Sequence, residues 1–221
     1  LVELTQDTMD DVWKQTEHEP PYPQNRMKHL LDVIAGALGR YVQHKLSELD
    51  LWHGPYGRVK ESLRSGLTIC ERWVTACETL TSQFWKRYGP NPWKDDKFTP
   101  ENLSQLARRI EEIITLRAVH EQLVRLLSSQ EQQELGVAQA FTPFSGLLPL
   151  QYNPYTQPLW KAAVGQYDRA MAPAEQRIAD KLRKQFRGIE SNSQQLLREF
   201  QRYKELVKRP SLSKELTTER E

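Results

Sequence analysis

The 221 residues carry 31 Lys/Arg against 29 Asp/Glu, a formal net charge of +2, and are 38% hydrophobic and 27% charged, ordinary values for a soluble protein with one or two cores. No apolar run approaches the roughly 20 residues of a membrane-spanning helix, so no spanning segment is expected; direct membrane contact is not among the expected partners either. The opening LVELTQDTMDDVW lacks the basic and apolar blocks of a signal peptide.

In chain order, the segment to about Glu17 is weakly helical and stops at EPPYP, where consecutive prolines remove donors and extend the backbone. Met27, Leu30, Leu31, Ile34, Leu38, Tyr41, Leu46 and Leu49 then keep helical spacing to about Trp52, ended by HGPYG. A second long helix is predicted from about Tyr56 to Tyr88, where GPNPWKDDKF breaks it. Its inward stripe is Leu63, Leu67, Cys70, Val74, Cys77, Leu80 and Phe84, with Ile69, Trp73 and Ala76 beside it. Seven helical positions place Cys70 and Cys77 roughly 10 Å apart, beyond the roughly 7 Å reach of a disulfide. None of His18, His29, His44, His53 and His120 stands near enough in sequence to complete a zinc pattern. Both cysteines are therefore expected to be small core residues, which fits a reducing compartment.

Thr99 offers an N-cap oxygen and Pro100 a first helical position for a third helix, with Leu103, Leu106, Ile110, Ile113, Ile114 and Leu127 inward. Ser129 with Gln132 reads as a capping box for a short extension ending at Gly136. Residues 136–157, GVAQAFTPFSGLLPLQYNPYTQ, hold Pro143, Pro149 and Pro154 among Phe141, Phe144, Tyr152 and Tyr155 without helical or alternating period. This is a long loop, too aromatic for a disordered linker. A fourth helix from about Pro158 to Ile189 keeps Trp160, Val164, Tyr167, Met171, Ile178, Leu182 and Phe186 in phase across Pro173, which predicts a kink rather than two helices. Ser191 with Gln194 reads as a capping box for a fifth helix carrying Leu197, Phe200, Tyr203 and Leu206 to KRP. A sixth begins near Ser211 and is still helical in pattern at Glu221, as in a piece of a longer chain.

The fold class is thus all-α, with about five long helices and one long aromatic, Pro-rich loop. Its expected organisation is a first bundle segment over 1–136, the connecting loop over 137–157, and a second helical segment over 158–221 that is truncated at its C-terminal end.

Charge is uneven: 14 Lys/Arg against 9 Asp/Glu from residue 160 onward, and 17 against 20 before it. Lys181, Arg183, Lys184 and Arg187 nevertheless alternate with Glu175, Asp180 and Glu190 around an apolar stripe, and no aromatic stands ready to stack a base. A solvated helix face is expected there and no nucleic-acid partner. No phosphate loop, dinucleotide turn, metalloprotease helix or nucleophile elbow occurs. Glu111-Glu112 and Asp95-Asp96 lie in charged runs where a raised pKa is hard to maintain. No catalytic residue, metal site or cofactor is expected.

The stretch NPYTQPLWKAAVGQYDRAMAPAEQRIADKLRKQF, followed by LLREFQRYKELVKRPSLSKELTTERE, resembles the N-terminal tail of dynein heavy chains, where a W-x-x-A-x-x-x-Y helix leads to a helix ending in an L-x-x-R-P step. YPQNRMKHLLDVIAGALGRYVQHKL and LTSQFWKRYGPNPWKDDKF resemble the same region, so the likeness runs from about Pro21 to Glu221. Within the family the wording is most like the branch that serves retrograde intraflagellar transport. The resemblance implies an elongated succession of helical bundles that belongs to the cytoplasm, cytoskeleton and cilium or flagellum. It also implies a non-catalytic scaffold, the ATPase ring lying far downstream. Its partners would be the WD-repeat intermediate chains, the light intermediate chain and a second heavy chain. The partner-binding candidates are Tyr152, Tyr155, Phe141 and Trp93, with Phe144 expected inside the bundle. Packing of the loop aromatics on their own bundle is the competing use, and an unrelated all-helical adaptor is the competing identity.

Overall fold

A computed structural model of the chain describes residues 24–88, 98–188 and 193–203 and the single positions 206, 209 and 212. Among the described residues every regular element is helical. They are α1 (Gln24–Ser47), α2 (Tyr56–Tyr88), α3 (Glu101–Leu126), the short α4 (Ser129–Glu134), α5 (Thr156–Arg187) and α6 (Ser193–Arg202), with 3-10 turns at Val137–Gln139 and Thr142–Phe144. The all-α class with long helices is the one that the periodicities predict. The first segment to Glu17, the Ser191 cap and the helix after Ser211 lie outside the described residues, Leu212 excepted. Contacts group the chain into two compact units. One is built on α1, α2 and α3 to Ile114, together with Leu150–Tyr152; the other takes Thr115–Pro149 and the chain from Asn153 onward.

In the first unit the buried line of α1 is Leu31, Ala35, Leu38, Val42 and Leu46, while Leu30, Val33 and Tyr41 remain outside. Small residues set how closely the helices approach. A Cβ built on Gly66 of α2 would stand 3.1 Å from both Leu46 Cδ1 and Val42 Cγ1, and one on Gly39 would stand 3.6 Å from Leu103 Cδ1 of α3. The predicted helix to Trp52 ends instead at Ser47. Asp50 is the cause: its carboxylate accepts the N–H groups of Trp52 (3.2 Å) and His53 (2.9 Å), an Asx arrangement that competes with continued helix. Helix α3 opens one residue later than expected. Pro100 supplies the first acceptor, to Ser104 N–H at 3.1 Å, and the Thr99 hydroxyl donates across to Glu78 at 3.1 Å.

Cys70, Cys77 and Trp73 are fully buried on α2, and neither cysteine is in a disulfide. Burial, aided by Glu71 beside Cys70 and by Asp32 beside Cys77, pushes both thiols up to about 12, so neither is a thiolate at neutral pH. They fill space, as the stripe predicts.

In the second unit the capping box stands one residue earlier than expected. Ser128 Oγ accepts Glu131 N–H at 3.3 Å and Glu131 Oε2 accepts Ser128 N–H at 2.7 Å. Ser128 has the extended backbone that an N-cap needs (φ −69°, ψ 160°). Gln132, the expected partner in the box, instead donates to the carbonyls of Val124, in the last turn of α3, and Leu127, just past it, each at 3.0 Å. Lys181 of α5 donates to Glu131 at 2.5 Å and to the Leu126 carbonyl at 3.0 Å, tying three elements. Helix α5 is one continuous helix with Pro173 inside it, and it buries Trp160, Tyr167, Met171, Ile178, Leu182 and Phe186. Leu197 of α6, expected inward, is exposed, whereas Tyr203 and Leu206 are buried.

Two outcomes follow from this packing. Trp73→Ala should lower unfolding free energy by about 3–5 kcal/mol in urea titration, and Cys70→Ala or Cys77→Ala by only about 1 kcal/mol, because the first leaves an indole-sized hole on the central stripe. The bond from Lys181, foremost, and the Ser128 N–H hold Glu131 down to about 2 from its ordinary 4.5. A carboxyl depressed in the folded state stabilises above its unfolded pKa and loses that stabilisation as pH falls through its folded pKa. Acid titration of thermal stability should therefore fall less steeply between pH 4.5 and about 2 in Glu131→Gln than in the unaltered chain.

Candidate interaction site

The start of α5 is set by its first polar residues. Asn153 Oδ1 accepts the N–H groups of Tyr155 and Thr156, both at 2.9 Å; Thr156 Oγ1 accepts Asn153 N–H at 3.1 Å; the Asn153 carbonyl accepts Gln157 N–H at 3.0 Å. This is the reciprocity of a capping box with Thr in place of Glu, and it places the helical turn upstream of the predicted Pro158. Tyr155, held in helical backbone (φ −83°, ψ −37°), projects outward with 88% of its surface exposed. One turn on, Leu159 is 56% exposed, and Ala162 continues the same face at helical spacing. Tyr155, Leu159 and Ala162 thus form an outward apolar stripe on this element.

The remaining candidates sit differently. Tyr152 belongs to the first unit, half-buried, with its ring 5.1 Å from the Arg109 guanidinium. Arg109 itself is only 1% exposed; burial lowers its pKa, an effect that the Glu112 carboxylate, bonded at 3.0 Å, partly offsets. Leu150 is anchored in the same unit through its carbonyl, which accepts from Gln43 Nε2 at 3.1 Å. Phe141 is buried in the second unit, stacked on Tyr167 (centroids 5.3 Å apart, planes 19° apart), beside His120 at 4.3 Å, with the Arg117 guanidinium 5.3 Å from its ring. Phe144 is buried against Trp160 at 5.2 Å and Tyr167 at 6.2 Å. Trp93 lies outside the described residues. Tyr155 is thus the one named aromatic of this group that the structure places fully at a surface, and Tyr152 and Tyr155 fall in different units.

Trp160, Ala163 and Tyr167, the three marked positions of W-x-x-A-x-x-x-Y, are all buried on one face of α5. Tyr167 is the hub, its hydroxyl 3.1 Å from His120 Nδ1. Burial raises its pKa beyond the ordinary phenol range, so it stays a neutral donor or acceptor. Over its ring, 6.0 Å from the centroid, stands the guanidinium of Arg209, the Arg of L-x-x-R-P. Arg209 bonds to Asp168 at 2.7 Å and to Glu175, which is 1% exposed. Burial works against the Arg209 charge, but Glu175 first and Asp168 next outweigh it and raise its pKa. The reading of Glu175 as part of a solvated charged face is therefore corrected. It keeps phase with Met171 and Ile178 on the buried stripe, a signal that was visible in the spacing.

No helix among the described residues is long and apolar enough to cross a membrane, and among them no cluster of three His, Cys, Asp or Glu is placed to hold a metal. What the arrangement offers is a rigid core cluster behind an outward apolar helix face, a geometry suited to holding another chain.

Residues 6–220 match the family described as "Dynein heavy chain, N-terminal region 1". The chain belongs to the dynein heavy chains, as a stretch of their N-terminal region, which is not the ATPase motor domain. It is similar over all 221 residues to proteins named "Cytoplasmic dynein 2 heavy chain 1": 62% identical to that of Tripneustes gratilla and 55% to that of Homo sapiens, covering 5% of the length of each. The Chlamydomonas reinhardtii protein of the same name is 29% identical over 255 residues, with 6% of its length covered. Family membership removes the unrelated adaptor from consideration.

The buried ion pair has a measurable consequence. Arg209→Leu strands the Glu175 carboxylate inside the unit and should cost about 3–5 kcal/mol in chemical unfolding. Arg209→Leu combined with Glu175→Leu should recover most of that loss, since no charge is then left buried without its partner.

Proposed function

We propose that this segment is a non-catalytic scaffold of the heavy-chain tail that binds the intermediate and light intermediate chains for retrograde intraflagellar transport. It works in the cytoplasm, on the cytoskeleton and in the cilium or flagellum, within a dimer of heavy chains. The observation that carries this reading is the similarity over the whole chain to cytoplasmic dynein 2 heavy chains at 62% and 55% identity. The geometry supports it through α5, whose N-terminal turns expose Tyr155 and Leu159 on a helix locked in place from behind. In this reading Tyr155 touches the partner. Phe141 acts indirectly, by fastening the preceding loop to Tyr167, and Tyr152 does so by its stacking with Arg109. Aromatic anchors on rigid supports dominate interfaces because little entropy is lost in ordering them.

The test is co-purification of intermediate and light intermediate chains with the full heavy chain carrying Tyr155→Ala and Leu159→Ala. Both side chains are exposed, so thermal stability should stay within about 0.5 kcal/mol of the unaltered chain. Capture should fall about 30-fold, as for loss of a 2 kcal/mol hot spot. Wild-type capture by this variant would remove the face from the binding site. Loss of capture only in step with unfolding would make the residues structural.

A further inference from the structure

Helix α5 carries seven basic residues and three acidic ones, Asp168, Glu175 and Asp180. Every one of those acids is already engaged by an arginine: Asp168 and Glu175 by Arg209, and Asp180 by Arg183 at 2.9 Å. The outward face continues from Tyr155, Leu159 and Ala162 to Arg169, Arg177 and Lys184 at helical spacing, and all six are exposed. Among the described residues Arg169 bonds the Gly165 carbonyl of its own helix, at 3.2 Å, and Arg169, Arg177 and Lys184 meet no carboxylate. Lys184, in the last turn, also complements the helix dipole. That explanation does not reach Arg169 or Arg177, which stand mid-helix.

We infer that this face receives an acidic segment of a partner protein, led by an apolar side chain that packs on Tyr155 and Leu159 and followed by carboxylates that run along Arg169, Arg177 and Lys184. The inference rests on the scaffold reading above and names the chemistry of what is held. The two halves of the face are separated along the axis: the apolar turns lie at its N-terminal end, and the cations follow over about 22 Å at 1.5 Å per residue. An extended or helical acidic peptide matches that order. A membrane surface does not, because an interfacial helix needs its apolar side along the whole length with cations flanking it, and the inward side of α5 is occupied by the core. Nucleic acid is disfavoured because no exposed aromatic stands among the cations. Charge complementarity of this kind acts on encounter rate and register more than on the anchor itself.

The experiment uses the full heavy chain in its assembled complex. A photo-cross-linking amino acid at Gln166 or Gln176, both exposed on α5, should join to a partner-protein peptide rich in Asp and Glu, identified by mass spectrometry. In parallel, Arg169→Glu with Arg177→Glu and Lys184→Glu should weaken capture at least about tenfold at low salt, and should flatten its salt dependence. Cross-links to a neutral or basic peptide, or unchanged capture by the reversed variant, overturn the inference. If capture is unchanged there but lost in the Tyr155→Ala, Leu159→Ala variant, the scaffold reading stands and only the acidic partner falls. If both variants capture normally, both readings fall. Binding of the heavy chain to phosphatidylserine vesicles that the reversed variant loses, without any protein cross-link, assigns the face to a membrane and also overturns the inference.

Discussion

An ionised carboxylate buried in a helical core is costly unless a cation or hydrogen-bond donors meet it there, and Glu175 of α5 is a buried carboxylate met by an arginine. Its partner, Arg209, comes from beyond α6, so satisfying one charge fixes where that residue lies against α5. Arg209 then bonds Asp168 as well and stands over the Tyr167 ring, which joins the ion pair to the aromatic cluster of Phe141, Phe144 and Trp160. Phe141 and Phe144 from the loop before α5, α5 itself and Arg209 thereby meet around one point. Replacing such a pair with apolar residues often leaves stability unchanged; what the pair defines here is the position of Arg209 against α5.

The same lock shapes the outer side of α5. With every acid on the helix held by arginine, the remaining cations have no carboxylate of their own element to satisfy them. With Phe141 and Phe144 drawn inward to Tyr167, and Tyr152 held against Arg109, Tyr155 is left as the outward member of the group. The exposed apolar and cationic stripe is thus a by-product of how the inside is satisfied. A partner can use it without disturbing the core.

Much of this was legible in the sequence, because a helix repeats its burial every three or four residues. The inward stripe of α5, the bounds of α2 and the burial of Cys70, Trp73 and Cys77 all follow from that period. What failed was local competition by polar side chains. Asp50 ended α1 early by bonding forward, and Ser128 rather than Ser129 took the cap because two neighbouring serines offer the same oxygen and only the backbone conformation decides between them. Glu175 carries the charge of a solvated face but the phase of Met171 and Ile178, and in the fold the phase decides. Phe141 and Tyr155 are of similar type and sit in similar surroundings in sequence, yet one stacks on Tyr167 and the other faces solvent. That difference is made by Asn153, whose side chain starts the helix and turns Tyr155 out, and by residues such as His120, far away in sequence, that form the pocket for Phe141.

A scaffold segment needs surface that stays put while a partner binds and leaves. Single-face helices cannot provide this, because burying a partner then competes with burying the core. α5 separates the two tasks around its circumference: Trp160, Tyr167, Met171, Ile178 and Phe186 point inward, while Tyr155, Leu159, Arg169 and Arg177 point outward. Continuity of the helix through Pro173 keeps both faces in one frame over 32 residues. A proline at that point removes one backbone bond, at a cost of about 3 kcal/mol in an isolated helix; here it is offset by flanking buried residues on both sides, among them Met171, Ala174 and Glu175 with its arginine. The long outward face therefore exists because the inward face is over-determined, and the ion pair at Glu175 stands two residues from the proline, where the helix most needs to be held.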